Sequence, residues 1–343
     1  MSRGGEGRAH GEQAQENLDG AGLGAGDAGM GKGDAAMEVV GIVLVRDEDL
    51  FIEQAIRNVV GFCDRILVCD HGSKDQTPEI LAHLAGEFPE KIEVHRVRHP
   101  GVSQELIAPL AGTRTWVFGV DGDELYDPDG LRTLRGQLEA GQYDDAWVLF
   151  GNVLNVKRLD RRNQTATGHL APPCRSMTKL YNFRAIERWE GRCVERLHGG
   201  RLVFRSGFHE GLRRNLHEEV DWEHSVYRCL HLCFLRRSSL DVEVEGVEAR
   251  RNIMDRHAWS WGKLWRVFLS KLTGKRPTNW KEEKYARGPE VTVCGRVFLG
   301  LAGGAHCREG ERERRADFQG VSGGGWTGEK EREEEGKEKE GRR

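Results

Sequence analysis

Asp121 and Asp123 stand one residue apart at the end of an apolar run, residues 116–120 (WVFGV). Flanking the small Gly122, the two carboxylates can point at one ligand. Oxygen donors of this kind suit a hard divalent ion, Mg²⁺ or Mn²⁺, which would also hold phosphate oxygens. A lone Asp-x-Asp is more often a solvated acidic turn than a metal site. Here, however, two other apolar runs end the same way. Residues 39–45 (VVGIVLV) lead into Asp47 and Glu48, and residues 65–69 (RILVC) into Asp70. Gly72 and Ser73 follow, small enough to let the backbone approach a ligand. A carboxylate such as Asp70 can accept from a base N–H or from ribose hydroxyls.

These acids are useful together only if the runs before them share one sheet. Each run is short and rich in bulky apolar residues, which suits strands covered on both faces. Ligands of open parallel sheets gather outside the carboxyl ends of the strands, so the acids would share one edge. Helical patterns separate the runs. Ile52, Ala55, Ile56 and Val59 recur at helical spacing before Gly61. Thr77 is expected to cap a helix that starts at Pro78 and carries Ile80, Leu81, Leu84 and Phe88. Residues 92–97 read as a strand. Leu106, Ile107 and Leu110 offer a helical face that Pro109 interrupts. Asp129 is expected to cap a helix with Leu131, Leu134 and Leu138, ended by Gly141. Residues 146–156 read as one further strand. The alternation predicts an α/β fold with a doubly wound, mostly parallel, Rossmann-like sheet. The second half is less regular and would supply acceptor contacts. Residues 157–175 read as a loop over the sheet edge, and 178–183 and 202–204 as short strands. Residues 255–271 predict a helix with Trp261, Leu264, Trp265 and Phe268 on one face and basic residues between them. Such a face ordinarily packs on the core; the sharper reading is peripheral contact with anionic lipid through residues 255–272.

Composition divides the 343-residue chain. Residues 1–36 and 296–343 are rich in Gly and charge and read as disordered, because they bury too little apolar surface to offset ordering entropy. An α/β domain is expected over 37–240 and a helical extension over 241–295. Near residue 294 the strand-like VTVCGRVFLG gives way to low complexity, as a shifted reading frame would produce; residues 37–290 are expected to fold without it. The net charge of −3 gives no electrostatic case for nucleic-acid binding. No apolar leader and no run of about 18 apolar residues is present. The eight cysteines lack zinc-like spacing and read as reduced core residues, which places the chain in the cytoplasm.

Three segments in order, VVGIVLVRDEDLFIEQAI, ILVCDHGSKDQTPEIL and WVFGVDGDELYDP, resemble glycosyltransferase family 2 with its GT-A fold, and within it the bacterial cell-envelope and lipopolysaccharide-core transferases. The resemblance covers about residues 38–140 and continues weakly to about 235. It implies inverting transfer of a sugar from a nucleotide-diphosphate sugar to an acceptor hydroxyl of a glycan, a lipid-linked acceptor or a protein, with Mg²⁺ or Mn²⁺ as cofactor. Asp47, Glu48, Asp70, Gly72, Ser73 and Asp121 would bind the donor. Asp121 and Asp123 would hold the metal, joined by His231, which matches a late histidine of many such proteins; a lone histidine in an apolar strand is otherwise a satisfied core residue. The base is implied at Glu195, since Gly191-Arg192-Cys193-Val194-Glu195 resembles a Gly-x-x-His-Glu segment with Val194 in the histidine's place. Glu218, in His217-Glu218-Glu219, is the second candidate. Residues 102–113 lack the Arg-Asn pair usual before the Asp-x-Asp strand. The competing readings are a non-catalytic sugar-nucleotide or glycan-binding module on this fold and a nucleotidyltransferase, which usually has a glycine-rich loop where VRDEDL stands.

Overall fold

The computed structural model describes residues 36–171, 179–241 and 285–300. Its elements in order are β1 (Glu38–Val45), α1 (Ile52–Val59), β2 (Arg65–Asp70), α2 (Thr77–Glu87), β3 (Ile92–Arg96), α3 (Val102–Ile107), β4 (Thr115–Asp121), β5 (Glu124–Tyr126), α4 (Pro128–Glu139), β6 (Val148–Phe150), β7 (Asn152–Asp160), β8 (Thr165–Leu170), β9 (Lys179–Asn182), β10 (Ile186–Glu195), β11 (His198–Phe204), β12 (Arg213–Asn215), α5 (Leu216–Glu219), β13 (Arg228–His231) and β14 (Glu290–Cys294).

The apolar runs become the inner strands of a seven-stranded sheet ordered β12-β6-β9-β4-β1-β2-β3. Strands β4, β1, β2 and β3 are parallel, and β9 runs antiparallel to both β4 and β6. Side chains alternate across β1. Val39, Val43 and Val45 pack with Ile52, Ile56, Leu81, Leu84, Leu131 and Leu134 from α1, α2 and α4. Val40, Ile42 and Leu44 pack on the opposite face with Ile107, Val117 and Phe183. This is the mostly parallel α/β sheet that the pattern predicts, covered on both faces.

A second sheet, ordered β14-β8-β7-β13-β5, abuts the first. The chain passes between the two sheets at two short joints. One is Gly122-Asp123, between β4 and β5. The other is Gly151, which divides the expected strand over 146–156 into β6 of the first sheet and β7 of the second. A Cβ at Gly151 would collide with the Tyr227 carbonyl oxygen and lie 2.7 Å from its ring. Close backbone approach therefore requires glycine here, and the apolar run around it hides the change of sheet.

Other local expectations are corrected. Residues 157–170 are not a loop: β7 continues to Asp160 and returns as β8 in an antiparallel hairpin. Thr77 is the first residue of α2 and not its cap, because its Oγ1 accepts from the Glu48 N–H at 2.9 Å. Asp75 Oδ1 instead accepts from the Thr77 N–H at 3.0 Å. At α4 the cap is Asp127, whose Oδ1 accepts from the Asp129 and Gly130 N–H groups at 3.0 Å each. Pro128 then occupies the first helical position, where its missing N–H is harmless. α3 gives way to a 3₁₀ turn over Ala108–Leu110, which accommodates Pro109 in its own first turn.

Late sequence completes the second sheet. β14 pairs antiparallel with β8, and Phe298 is buried against Trp222. Asn58 on α1 donates to the carbonyls of Tyr126 and Phe298, each at 2.8 Å. The packed chain therefore reaches beyond residue 290. The helix expected over 255–271, with its proposed lipid contact, lies outside the described residues, as do 1–35 and 301–343. No described helix is long and apolar enough to cross a membrane. Cys63, Cys69, Cys229 and Cys233 are buried, and burial pushes the Cys63 thiol up to about 12; Cys294 is exposed.

Candidate functional site

The loops after β1 and β2 are stitched to each other by the residues singled out from the sequence. Asp47 adopts a left-handed backbone at φ 50°, a conformation its short polar side chain tolerates. Its N–H donates to Ser73 Oγ at 2.8 Å, and its Oδ1 accepts from the Lys74 N–H at 2.7 Å. Asp70 Oδ1 accepts from the Ser73 N–H at 2.9 Å. Gly72 is left-handed at φ 70°, and the space a side chain would enter is open. Asp47, Asp70 and Ser73 thus shape the loop pair through one another, while Gly72 leaves the backbone approachable.

Glu48 lies beside the joint between the sheets. A Cβ at Gly122 would collide with the Glu48 carboxylate, so the Asp-Gly-Asp spacing is needed for this contact. Asp123 and Glu48 are both buried, and one side chain meets both: Arg237 Nη1 lies 2.6 Å from Asp123 Oδ2 and 3.1 Å from Glu48 Oε1. Burial opposes the guanidinium charge, but Asp123 and Glu48 hold its pKa above the ordinary value. Asp121 is partly exposed and pairs with the Arg196 guanidinium, which also donates to the Val120 carbonyl at 3.3 Å. Burial lowers Arg196 to about 10. Glu124 is buried beneath these acids and pushed up to about 8, first by burial and then by Asp123; it accepts from Tyr126 Oη at 2.8 Å.

Arg196 arrives on the tip of the β10–β11 hairpin, where Glu195 pairs with His198 around Arg196 and Leu197. Leu197 is left-handed at φ 56°, an uncommon conformation for a bulky residue, and is held there from several sides. The Arg196 N–H donates to Ser103 Oγ at 2.9 Å and the Leu197 N–H to Gln104 Oε1 at 2.8 Å. Leu197 Cδ1 packs over Gly119 of β4. The hairpin tip is therefore clamped on the end of β4, and it presents Glu195 and His198. His198 Nδ1 lies 3.1 Å from Glu195 Oε1, and Nε2 lies 2.5 Å from Lys179 Nζ. Burial lowers Lys179 to about 8, against the pull of Glu124 and Glu195.

Glu218 is not brought to this group. It is exposed on α5, accepts from Asn215 Nδ2 at 3.1 Å, and follows edge strand β12. β12 stands three strands from β4, about 14 Å away at ordinary strand spacing. His231 is buried on β13, with Nδ1 2.9 Å from Asn155 Oδ1 and Nε2 3.8 Å from Asp123 Oδ2. Among the described residues, no three His, Cys, Asp or Glu side chains converge as a metal cluster. Sequence reasoning missed Arg196, Arg237, Lys179 and His198. Only His198 carried a signal, an imidazole three residues after Glu195 where the expected histidine at 194 is absent.

Residues 42–212 match the family model described as Glycosyl transferase family 2. No curated protein matches the chain. Among solved structures, TarS residues 1–349 from S. aureus in complex with UDP is 17% identical, covering 43% of this chain and 47% of that one at a TM-score of 0.30. Glucosyl-3-phosphoglycerate synthase from Mycobacterium tuberculosis with Mn²⁺, UDP and glucosyl-3-phosphoglycerate is 18% identical, covering 36% and 44% at a TM-score of 0.24. Mannose-6-phosphate isomerase from Helicobacter pylori is 10% identical, covering 43% and 61% at a TM-score of 0.27. The chain thus spans less than two thirds of the length of each. Overlaps this small carry no information about donor or acceptor.

Proposed function

Residues 42–212 make this chain a member of glycosyl transferase family 2, and from that membership we propose an inverting transferase that moves a sugar from a nucleotide-diphosphate sugar to an acceptor hydroxyl with Mg²⁺ or Mn²⁺. The observation that carries the reading is the placement of Asp121 and Asp123 at the carboxyl end of β4, on the joint between the sheets and against Glu48 of the β1 loop. Three strand-end loops of a parallel sheet meet there, which is where such sheets bind ligands.

The donor set fits a divalent ion chemically. Asp121 and Asp123 offer oxygens, His231 Nε2 lies 3.8 Å from Asp123, and a buried Glu124 oxygen has no hydrogen-bond partner among the described residues. Asp121, Asp123 and His231 would hold the ion, which when bound stabilises charge developing on a leaving diphosphate. Glu48 and Asp70 would contact the nucleoside, with Gly72 and Ser73 giving the backbone access to it. Arg196 orients Asp121. Glu195 is the base for the acceptor hydroxyl: it sits on the clamped hairpin tip with His198 Nδ1 3.1 Å away, and Lys179 meets the other nitrogen of that imidazole. A single positioned base of this kind contributes about 10²–10⁴ in rate. The acceptor is a glycan, a lipid-linked saccharide or a protein.

The test is a thermal-shift screen of nucleoside diphosphates with and without Mn²⁺, followed by nucleotide release from the matching sugar donors. Asp123→Ala should lower metal-dependent release by about 10²-fold or more. Binding that ignores metal, with no turnover on any donor, would replace the enzyme with a nucleotide-binding module.

A further inference from the structure

Asp123, Glu48 and Glu124 crowd a small buried volume, and buried carboxylates need a cation or a proton beside them. Glu124 accepts from Tyr126 Oη at 2.8 Å. The other two share Arg237, which is itself more than nine-tenths buried, with Nε lacking a hydrogen-bond partner among the described residues. We propose that Arg237 is the resident counter-cation of this site and that a divalent ion must displace it from Asp123 to bind. This rests on the transferase reading and names the residue with which its metal competes.

The geometry forces a choice. Arg237 Nη1 sits 2.6 Å from Asp123 Oδ2, the same oxygen that His231 Nε2 approaches to 3.8 Å. A divalent ion bonded to that oxygen at about 2.0–2.2 Å would stand against a guanidinium already there, and two cations repel strongly where little water screens them. Arg237 can give way without losing its anchorage, because its backbone is fastened independently. The Leu50 N–H donates to the Arg237 carbonyl at 3.1 Å. In the two residues that follow it, Ser238 Oγ donates to Asp75 Oδ2 at 2.6 Å and the Ser239 N–H to Asp49 Oδ1 at 2.7 Å. The segment is thus tied to the loops after β1 and β2, and a released guanidinium stays at the mouth of the site. Its planar donors suit phosphate oxygens there.

The experiment measures Mn²⁺ binding to the full chain, without nucleotide, from the loss of the free-ion electron paramagnetic resonance signal. Arg237→Ala should bind Mn²⁺ about tenfold tighter than the wild type or better. Arg237→Gln, which keeps a donor toward Asp123 but no charge, should show the same gain if the alanine variant folds poorly. Adding Asp123→Asn to either variant should abolish the gain. Equal or weaker binding in both Arg237 variants, with Asp123→Asn still abolishing it, overturns the competition and leaves the transferase reading standing. A gain that survives Asp123→Asn also overturns it. No Mn²⁺ binding by any variant overturns both.

Discussion

Three carboxylates at the end of β4 and the arginines that meet them come from opposite halves of the chain. Asp121, Asp123 and Asp127 belong to the front half, on the β4 end and the link into α4. Their arginines, Arg196, Arg237 and Arg228, lie 75, 114 and 101 residues later. The front half alone would place these acids together with little to neutralise them. The second half, irregular as it is, carries the charges that let them be buried. Positioning and neutralisation are thus separate tasks given to separate segments.

The largest expected effect of breaking that division is at the pair remote from the proposed chemistry. Arg228 holds Asp127 Oδ2 through Nε and Nη2 at 2.9 and 2.8 Å, and Asp127 also caps α4. Arg228→Ala should destabilise the fold by about 3 kcal/mol, the low end for breaking a buried pair because Arg228 keeps some solvent contact. Urea unfolding measures this, and a midpoint unchanged from the wild type would show that the second half does not stabilise the first through charge.

A smaller effect concerns Glu124 and Lys179, one from each half. Glu124 is raised to about 8, so the folded state holds a proton that the unfolded chain releases above about 4.5. Its contribution is full at low pH and is lost as pH rises toward 8. Lys179 is lowered to about 8 from 10.5, so the unfolded chain binds the extra proton between these values, and stability recovers as pH rises from 8 to 10.5. The pair predicts a stability minimum near pH 8, with each limb sloping by at most about 1.4 kcal/mol per pH unit. In melting curves across pH 5–10, Glu124→Gln should flatten the acid limb and Lys179→Met the alkaline one. Parallel curves for all three proteins would refute the assignment.

The smallest effect sharpens the contrast inside the second half. Glu218→Gln should change nucleotide release by less than about twofold, whereas Glu195→Gln should lower it by about 10²-fold or more. The reverse ranking would move the acceptor side to edge strand β12.

Why the halves differ in legibility follows from the same division. The short, mostly apolar runs at 39–45, 65–69 and 116–120 suit strands covered on both faces, so their ends, and the acids on them, are readable from spacing. Gly151 is not readable as a joint, because apolar residues flank it on both sides, with Asn152 the one polar residue from Val148 to Leu154, and period alone cannot report a change of sheet. Cap positions differ in the same way: Thr77 and Asp129 are good cap types, but the Glu48 N–H engages the first hydroxyl, leaving Gln76 before α2, and Asp127 stands before Pro128. Arg196 and Arg237 had no local signature at all. A guanidinium finds its carboxylate through tertiary packing, and a single sequence does not encode that distance.

The pairing of β14 with β8 bears on how the chain is made. Synthesis delivers β7 and β8 more than a hundred residues before the strand that covers their edge. Throughout that interval the nascent protein displays the unpaired backbone of β8, an open template for another chain. A chain that ends between Arg237 and Glu290 would therefore carry the acids and the arginines that meet them, yet keep an adhesive border prone to self-association.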